Sequence, residues 1–354
     1  MSSTPSTTGP ASATATSAIT TPGTDPLDGA APDTDSTADG GSGSRSRFRD
    51  LSFWAEWAAL VGLAILVIVF QSSNSTFLST GNIEAMLVSA AILIVLAVGQ
   101  TFVITTGGID LSVASTMTFG AVAFGLTYEH SGQLWLSCIV AVVAGAVIGV
   151  VNGLLISVGG ITDFIATLGT LSAASGLALI LANGSPITIV NSTLLNLASG
   201  GFGIFGYSFI IAAVVAIIGH VVYFRTRFGT HVLATGGSSE AAAATGVRTK
   251  RVKLAVYIIS GSLAGLGAIL LVSRVGAAEP AANTAFLLNS VAAVVLGGVS
   301  LIGGRGSVIG PVLGALLLTA LTNGLTLVGV SEFYQPLSVG IVVVLAALLS
   351  RFQK

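Results

Sequence analysis

Three histidines, His130, His220 and His231, and one cysteine, Cys138, are the residues from which metal or nucleophilic chemistry would be built, and their spacing builds neither. The histidines stand far apart with no ligand partner at a usable interval, and one thiol makes neither an internal disulfide nor a zinc cage. No GxSxG elbow exposes a serine, and no GxxxxGK followed by Ser or Thr cradles nucleotide phosphates. The sequence therefore offers no catalytic residue, no metal site and no cofactor of its own. Any use of ATP has to come from another polypeptide.

The carboxylates that could relay protons or balance ions hug the ends of apolar segments. Asp110 and Asp163 stand at Gly-rich breaks, and Glu84, Glu129, Glu279 and Glu332 at the opposite ends. Proton coupling is thereby disfavoured, although a sodium site built from hydroxyls and backbone carbonyls would leave no such trace. A passage without fixed charge suits an uncharged polar solute. Its candidate lining is Asp110, Ser112, Asn152, Thr167, Thr170, Asn289 and Asn323. Each also has a plainer reading: Asp110 caps the following helix at the positive end of its dipole, and hydroxyls and amides satisfy neighbouring helices in any bundle.

The elements that would hold these groups follow from composition. Of 354 residues, 53% are hydrophobic and only 8% charged, far below the charge a water-soluble surface of this size carries. The formal net charge of -1 gives no electrostatic footprint for nucleic acid. This composition predicts an all-α integral membrane protein. Residues 1–50 read as a disordered cytoplasmic tail, rich in Ser, Thr, Ala, Pro, Gly and Asp, without the basic and continuous apolar regions of a signal peptide. Residues 51–354 read as a polytopic transmembrane domain of about ten helices, over approximately 53–71, 85–105, 111–129, 133–157, 164–183, 207–224, 252–273, 286–303, 307–329 and 333–351.

Charge tests that count, because Lys and Arg concentrate in cytoplasmic loops. With ten crossings and both termini inside, 12 of the 13 bases fall on the cytoplasmic side and only Arg274 lies outside. Eight or nine crossings would follow if one short segment re-enters. Glycines recur every fourth residue at Gly145, Gly149 and Gly153, and again at Gly306, Gly310 and Gly314, which predicts close helix contact. GGIDLS (107–112) resembles GGVSLIGG (297–304), while Asn152-Gly153-Leu154 resembles Asn323-Gly324-Leu325; the two likenesses imply different registers of an internal repeat, and the register stays open.

The longest polar interruption, 225–253, holds six of the 13 bases. Within it, Ser238 and Ser239 precede a run from Glu240 through four alanines to Gly246, the pattern of an N-capped short helix ended by glycine. Such a helix suits a groove on a partner protein, and equally a solvated connector.

At this loop Glu240-Ala241-Ala242, with Gly246 six residues after the glutamate, resembles the EAA-type coupling loop of permease subunits of ABC importers. GGIDLSVAS (107–115), DFIATLGTLSAASGLAL (163–179), FGTHVLATGGSSEAAAATGV (228–247), YIISGSLAGLGAILL (257–271) and AAVVLGGVSLIGGRGSVIGPVLGALLL (292–318) are similar to the ribose/xylose/arabinose-type permease family. The resemblance covers nearly all of 51–354. It implies a homodimeric permease in the bacterial cytoplasmic membrane, paired with a cytoplasmic ATP-binding subunit that carries ATP and Mg. A solute-binding protein on the outer side would deliver a monosaccharide. Gly229, Gly236, Gly237, Glu240, Ala241, Ala242 and Gly246 would form the loop that receives the ATPase stroke. Asp163 departs from the family pattern, where Pro or a small residue is common, and the acidic tail lies outside that pattern. The alternatives are an ion-coupled secondary carrier, a non-transporting membrane scaffold, or an ABC permease for a nucleoside or other small polar solute.

Overall fold

The computed structural model describes residues 51–281 and 284–351, with side-chain surroundings for 59–281 and 284–344. The tail through Asp50, including the Arg45, Arg47 and Arg49 cluster, and Lys354 lie outside the described residues. Among the described residues, 77% are helical. In order, the helices are α1 (Leu51–Ser73), α2 (Thr80–Thr105), α3 (Val113–Ser131), α4 (Leu134–Ser157), α5 (Asp163–Leu181), α6 (Ser192–Ser199), α7 (Tyr207–Arg225), α8 (Arg227–Gly237), α9 (Ser239–Ala244), α10 (Thr249–Val275), α11 (Thr284–Leu296), α12 (Ile309–Leu327) and α13 (Gln335–Arg351). All but α6, α8 and α9 fall on the ten apolar segments read from the sequence. Among the described residues, six of them, α2, α4, α5, α7, α10 and α12, are long and apolar enough to cross a membrane.

Helix α2 is the axis of the fold. From Ala90 to Thr105 every residue is buried, so the segment is apolar on all sides because neighbours surround it. Helix α10 packs most extensively on α4, and glycine explains how. A Cβ at Gly145 would meet the carbonyl oxygen of Gly261, one at Gly149 that of Tyr257, and one at Gly265 that of Ala141. With no hydrophobic drive between helices in lipid, this backbone-on-backbone approach supplies the contact. The second glycine series works alike, since a Cβ at Gly310 would meet Gly297 O and one at Gly314 would meet Ala293 O. The outer sides of α4, α5 and α7 expose Val143, Val147, Ile165, Ile180, Ile217 and Ile218.

Three departures from the sequence expectations have physical causes. The eighth segment ends as a helix at Leu296, well short of 303, because Gly298 takes a positive φ of 76° and turns the chain into a glycine-rich link over 297–308. Residues 227–237, expected as connector, form α8: Gly229, Val232 and Thr235 bury one face while Arg227 and His231 stay outside it. Two short ribbons pair β1 (Ile187–Thr188) with β4 (Ala277–Ala278), and β2 (Gly201–Phe202) with β3 (Phe205–Gly206).

Candidate functional site

Two polar regions stand at opposite ends of α2. At its C-terminal end, Gly107 adopts a φ of 75° and releases the chain into a link, 106–112, that places Asp110 in the interior at 2% exposure. Asp110 Oδ1 accepts hydrogen bonds from Ser112 N (3.0 Å) and Ser112 Oγ (2.6 Å), and Oδ2 accepts one from Ser260 Oγ of α10 (2.8 Å). Ser112, not Asp110, occupies the cap position of α3, and Asp110 closes a turn two residues ahead of it.

From Ser112 the bonds run on. Asn152 Nδ2 of α4 donates to Ser112 Oγ (2.8 Å), and Thr170 Oγ1 of α5 donates to Asn152 Oδ1 (2.6 Å). Gln100 Nε2 of α2 donates to Asp110 O (2.6 Å), and Thr167 Oγ1 of α5 donates to Ile109 O in the link (3.3 Å). Five of the seven lining candidates therefore form one buried knot that ties α2, α4, α5 and α10 to a single link. Within it, Gln100 Oε1 alone lacks a partner among the described residues. Such saturation orders the link, because a buried polar group left unmade is costly. Asp163, the departure from the family pattern, opens α5 with negative charge at its positive end and pairs with Lys253 Nζ of α10 at 3.7 Å.

Beside this knot sits the segment α8–α9. Thr226 Oγ1 accepts from Gly229 N at 3.3 Å to start α8, and Ser238 Oγ accepts from Ala241 N at 3.2 Å to start α9. Gly246, with φ of 89°, ends α9, as the glycine position requires. Glu240, Ala241 and Gly246 are exposed, whereas Ala242 is buried and anchors the helix. The junction with the membrane helices is made by glycine backbone. A Cβ at Gly236 would meet Thr105 O at the end of α2 and lie 2.6 Å from Gly304 N in the 297–308 link. Gly304 N donates to Thr105 O at 2.9 Å, and a Cβ at Gly303 would be 2.8 Å from Gly107 N. Two look-alike strings, GGIDLS and GGVSLIGG, thus meet at α8. Gly237, the neighbouring residue, has nothing within 4 Å of its Cβ direction.

At the N-terminal end of α2 a cavity of about 700 Å³ opens between α2, α6, α10, α11, α12 and α13. Its walls include Glu84, Ser89, Arg274, Asn289, Thr322 and Asn323, with Phe286 and Leu93 among the apolar members. Asn289 and Asn323 are the two remaining lining candidates, so the sequence reading splits: two reach the cavity and five belong to the knot. Asn323 is already engaged, exchanging hydrogen bonds of 3.0 Å with Asn82 in both directions. Glu84 and Arg274 are the cavity residues that sequence reasoning passed over, and they put fixed charge in a wall that the sequence reading expected to lack it. Arg274 was visible as the base outside the cytoplasmic set, which was the available signal. At 1.5 Å per residue, Leu93 and Thr105 are roughly 18 Å apart along α2. Every residue of α2 between them is buried.

Comparison with known proteins gives this arrangement relatives. The chain is 40% identical to the ribose import permease protein RbsC of Bacillus subtilis over 299 residues, covering 82% of this chain and 91% of that protein. It is 33% identical to the L-arabinose ABC transporter permease protein AraH of Azospirillum brasilense, covering 82% and 86%. It is 31% identical to the D-allose transport system permease protein AlsC of Escherichia coli, covering 84% and 92%. No solved structure shows significant similarity to it. The family model described as branched-chain amino acid transport system / permease component matches residues 82–348, and with relatives alike over most of their length the chain belongs to this family of membrane permeases.

Proposed function

We propose that this chain is the membrane-spanning subunit of an ATP-driven importer and forms the passage for a monosaccharide across the bacterial cytoplasmic membrane. The observation that carries the reading is the position of the exposed α8–α9 segment, whose backbone joins both the end of α2 and the 297–308 link. The named sugars of the relatives, ribose, arabinose and allose, support a pentose or hexose as cargo. Hydrolysis belongs to a separate ATP-binding subunit that carries ATP and Mg, and a solute-binding protein delivers the sugar from outside.

Ten crossings with both termini inside fit the bases, since Arg225, Arg227, Arg248, Lys250 and Arg251 flank α8–α9 and mark that end as cytoplasmic. The cavity then faces outward above a closed inner end. Closure of the ATPase pushes on α9 through Glu240, and α8 passes the displacement to Thr105 and Gly304 together, so that the inner end opens as the outer one narrows. Two copies of the chain around the passage complete the unit. Co-purification tests the coupling role: the ATP-binding subunit stays bound to the wild-type permease in stoichiometric amount and is lost when Glu240→Ala and Gly246→Pro are combined. Retention of the ATPase by that variant, with the permease still folded, would contradict the assignment.

A further inference from the structure

The outer cavity contains polar groups that the fold itself does not use. Asn323 is engaged with Asn82, Thr322 Oγ1 donates to Leu318 O at 3.1 Å, and Gln335 Nε2 donates to Thr326 Oγ1 at 3.0 Å. Glu84, Arg274 and Asn289, in contrast, make no side-chain hydrogen bond or ion pair among the described residues. Glu84 and Arg274 share a cavity yet stand beyond ion-pair distance of each other. A wall that only keeps a passage wet needs polarity, not a carboxylate and a guanidinium held apart with an amide between helices α2, α10 and α11. Convergent polar groups on different elements are how a pocket of this size fixes the orientation of a small ligand. Phe286 stands three residues before Asn289 on α11, so ring and amide lie on one face.

We propose that this cavity is a monosaccharide subsite of the permease itself. Glu84 accepts from sugar hydroxyls, Arg274 and Asn289 donate to sugar oxygens, and Phe286 covers an apolar C–H face. The chain thereby reads the sugar a second time after the solute-binding protein has released it. A site that hydrogen-bonds hydroxyls favours a ligand that supplies them, because Glu84, Arg274 and Asn289 then gain partners that the fold does not give them. The inference rests on the importer reading above and adds selection to it.

The test reconstitutes the whole importer, permease with ATPase and ribose-loaded binding protein in excess, and reads two quantities together. For Glu84→Ala and Asn289→Ala, uptake of labelled ribose falls about tenfold, the loss of one hydrogen bond to the sugar, while ATP hydrolysis stimulated by the loaded binding protein stays within about twofold of wild type. Unchanged uptake, or a parallel fall of uptake and hydrolysis, overturns the subsite. A direct measurement accompanies it: Ser89→Cys in a Cys138→Ser background reacts with a membrane-impermeant maleimide, and millimolar ribose slows that reaction. Protection by leucine instead, whose ammonium and carboxylate would satisfy the same two charges, overturns the sugar assignment, as does protection by neither. A wild-type importer that moves no monosaccharide overturns the underlying importer reading, and the subsite falls with it; a wild-type importer that transports ribose while its variants match it overturns the subsite alone.

Discussion

Asp110 and Glu84 are both carboxylates on or beside α2, and the structure treats them in opposite ways. Asp110 is enclosed, with both oxygens accepting hydrogen bonds and its neighbours bonded in series to α4 and α5. Glu84 lines an open cavity and makes no side-chain bond among the described residues. The first region is bonded throughout but for Gln100 Oε1 and holds helix ends in register; the second leaves Glu84, Arg274 and Asn289 unmatched by the fold. Polarity in a membrane protein therefore does not by itself mark a passage. What separates the two regions is whether the polar atoms have already been matched by the fold.

That contrast can be broken most forcefully at the junction, where a methyl group should decide between coupling and collapse. Gly236→Ala forces a Cβ into Thr105 O and Gly304 N, both backbone, and costs about 1–3 kcal/mol or more of stability by overpacking. Its neighbour Gly237→Ala meets nothing and should stay within about 0.5 kcal/mol of wild type. Thermal unfolding of the two variants in nanodiscs, with ATP-driven uptake alongside, checks the pair. Equal behaviour would remove the backbone joint from the account.

Next in size is the knot. Asp110→Ala leaves Ser112 N and the Ser112 and Ser260 hydroxyls without their acceptor and should cost about 3 kcal/mol, whereas Asp110→Asn keeps one acceptor oxygen and should cost about 1 kcal/mol. Measured by the same unfolding assay, an alanine variant as stable as the asparagine one would mean that the hydrogen bonds do not order the link. A smaller effect is expected at the amide pair: a double-mutant cycle on Asn82→Ala and Asn323→Ala should return a coupling of about 1 kcal/mol. Smallest is Lys253→Met, because its partner Asp163 lies 3.7 Å away and the pair is partly solvated; a loss of about 0.5 kcal/mol, vanishing at high salt, is the expected result.

How much of this was legible in the sequence follows from the physics of each signal. Apolar length and glycine spacing are local properties, so the ten apolar segments and a close helix contact at Gly145 and Gly149 could be read directly, whereas the partner across that contact, α10 with Gly261 and Gly265, could not. The short helix α9 was legible for the same reason, since Ser238, the alanine run and Gly246 are contiguous. Helix α8 was not, because Arg227, Thr230 and His231 give it a polar average, and its buried face of Gly229, Val232 and Thr235 contains little that looks apolar. The division of the polar candidates was beyond the sequence too. Asn152 and Asn289 are chemically identical, and only the position of Thr170 and Ser112 beside the first makes it structural. Glu84 and Arg274 were seen as span-end charges, and nothing local says that they face one cavity.

The central claim is that this chain is a gate worked from its cytoplasmic end by a nucleotide-hydrolysing partner. Proteoliposomes containing the permease, its ATP-binding subunit and a loaded solute-binding protein measure it directly. Uphill accumulation of labelled ribose that requires internal access to ATP, and that disappears when the ATP-binding subunit is omitted, is the predicted result. Accumulation by the permease alone, driven by a sodium or proton gradient, would contradict it.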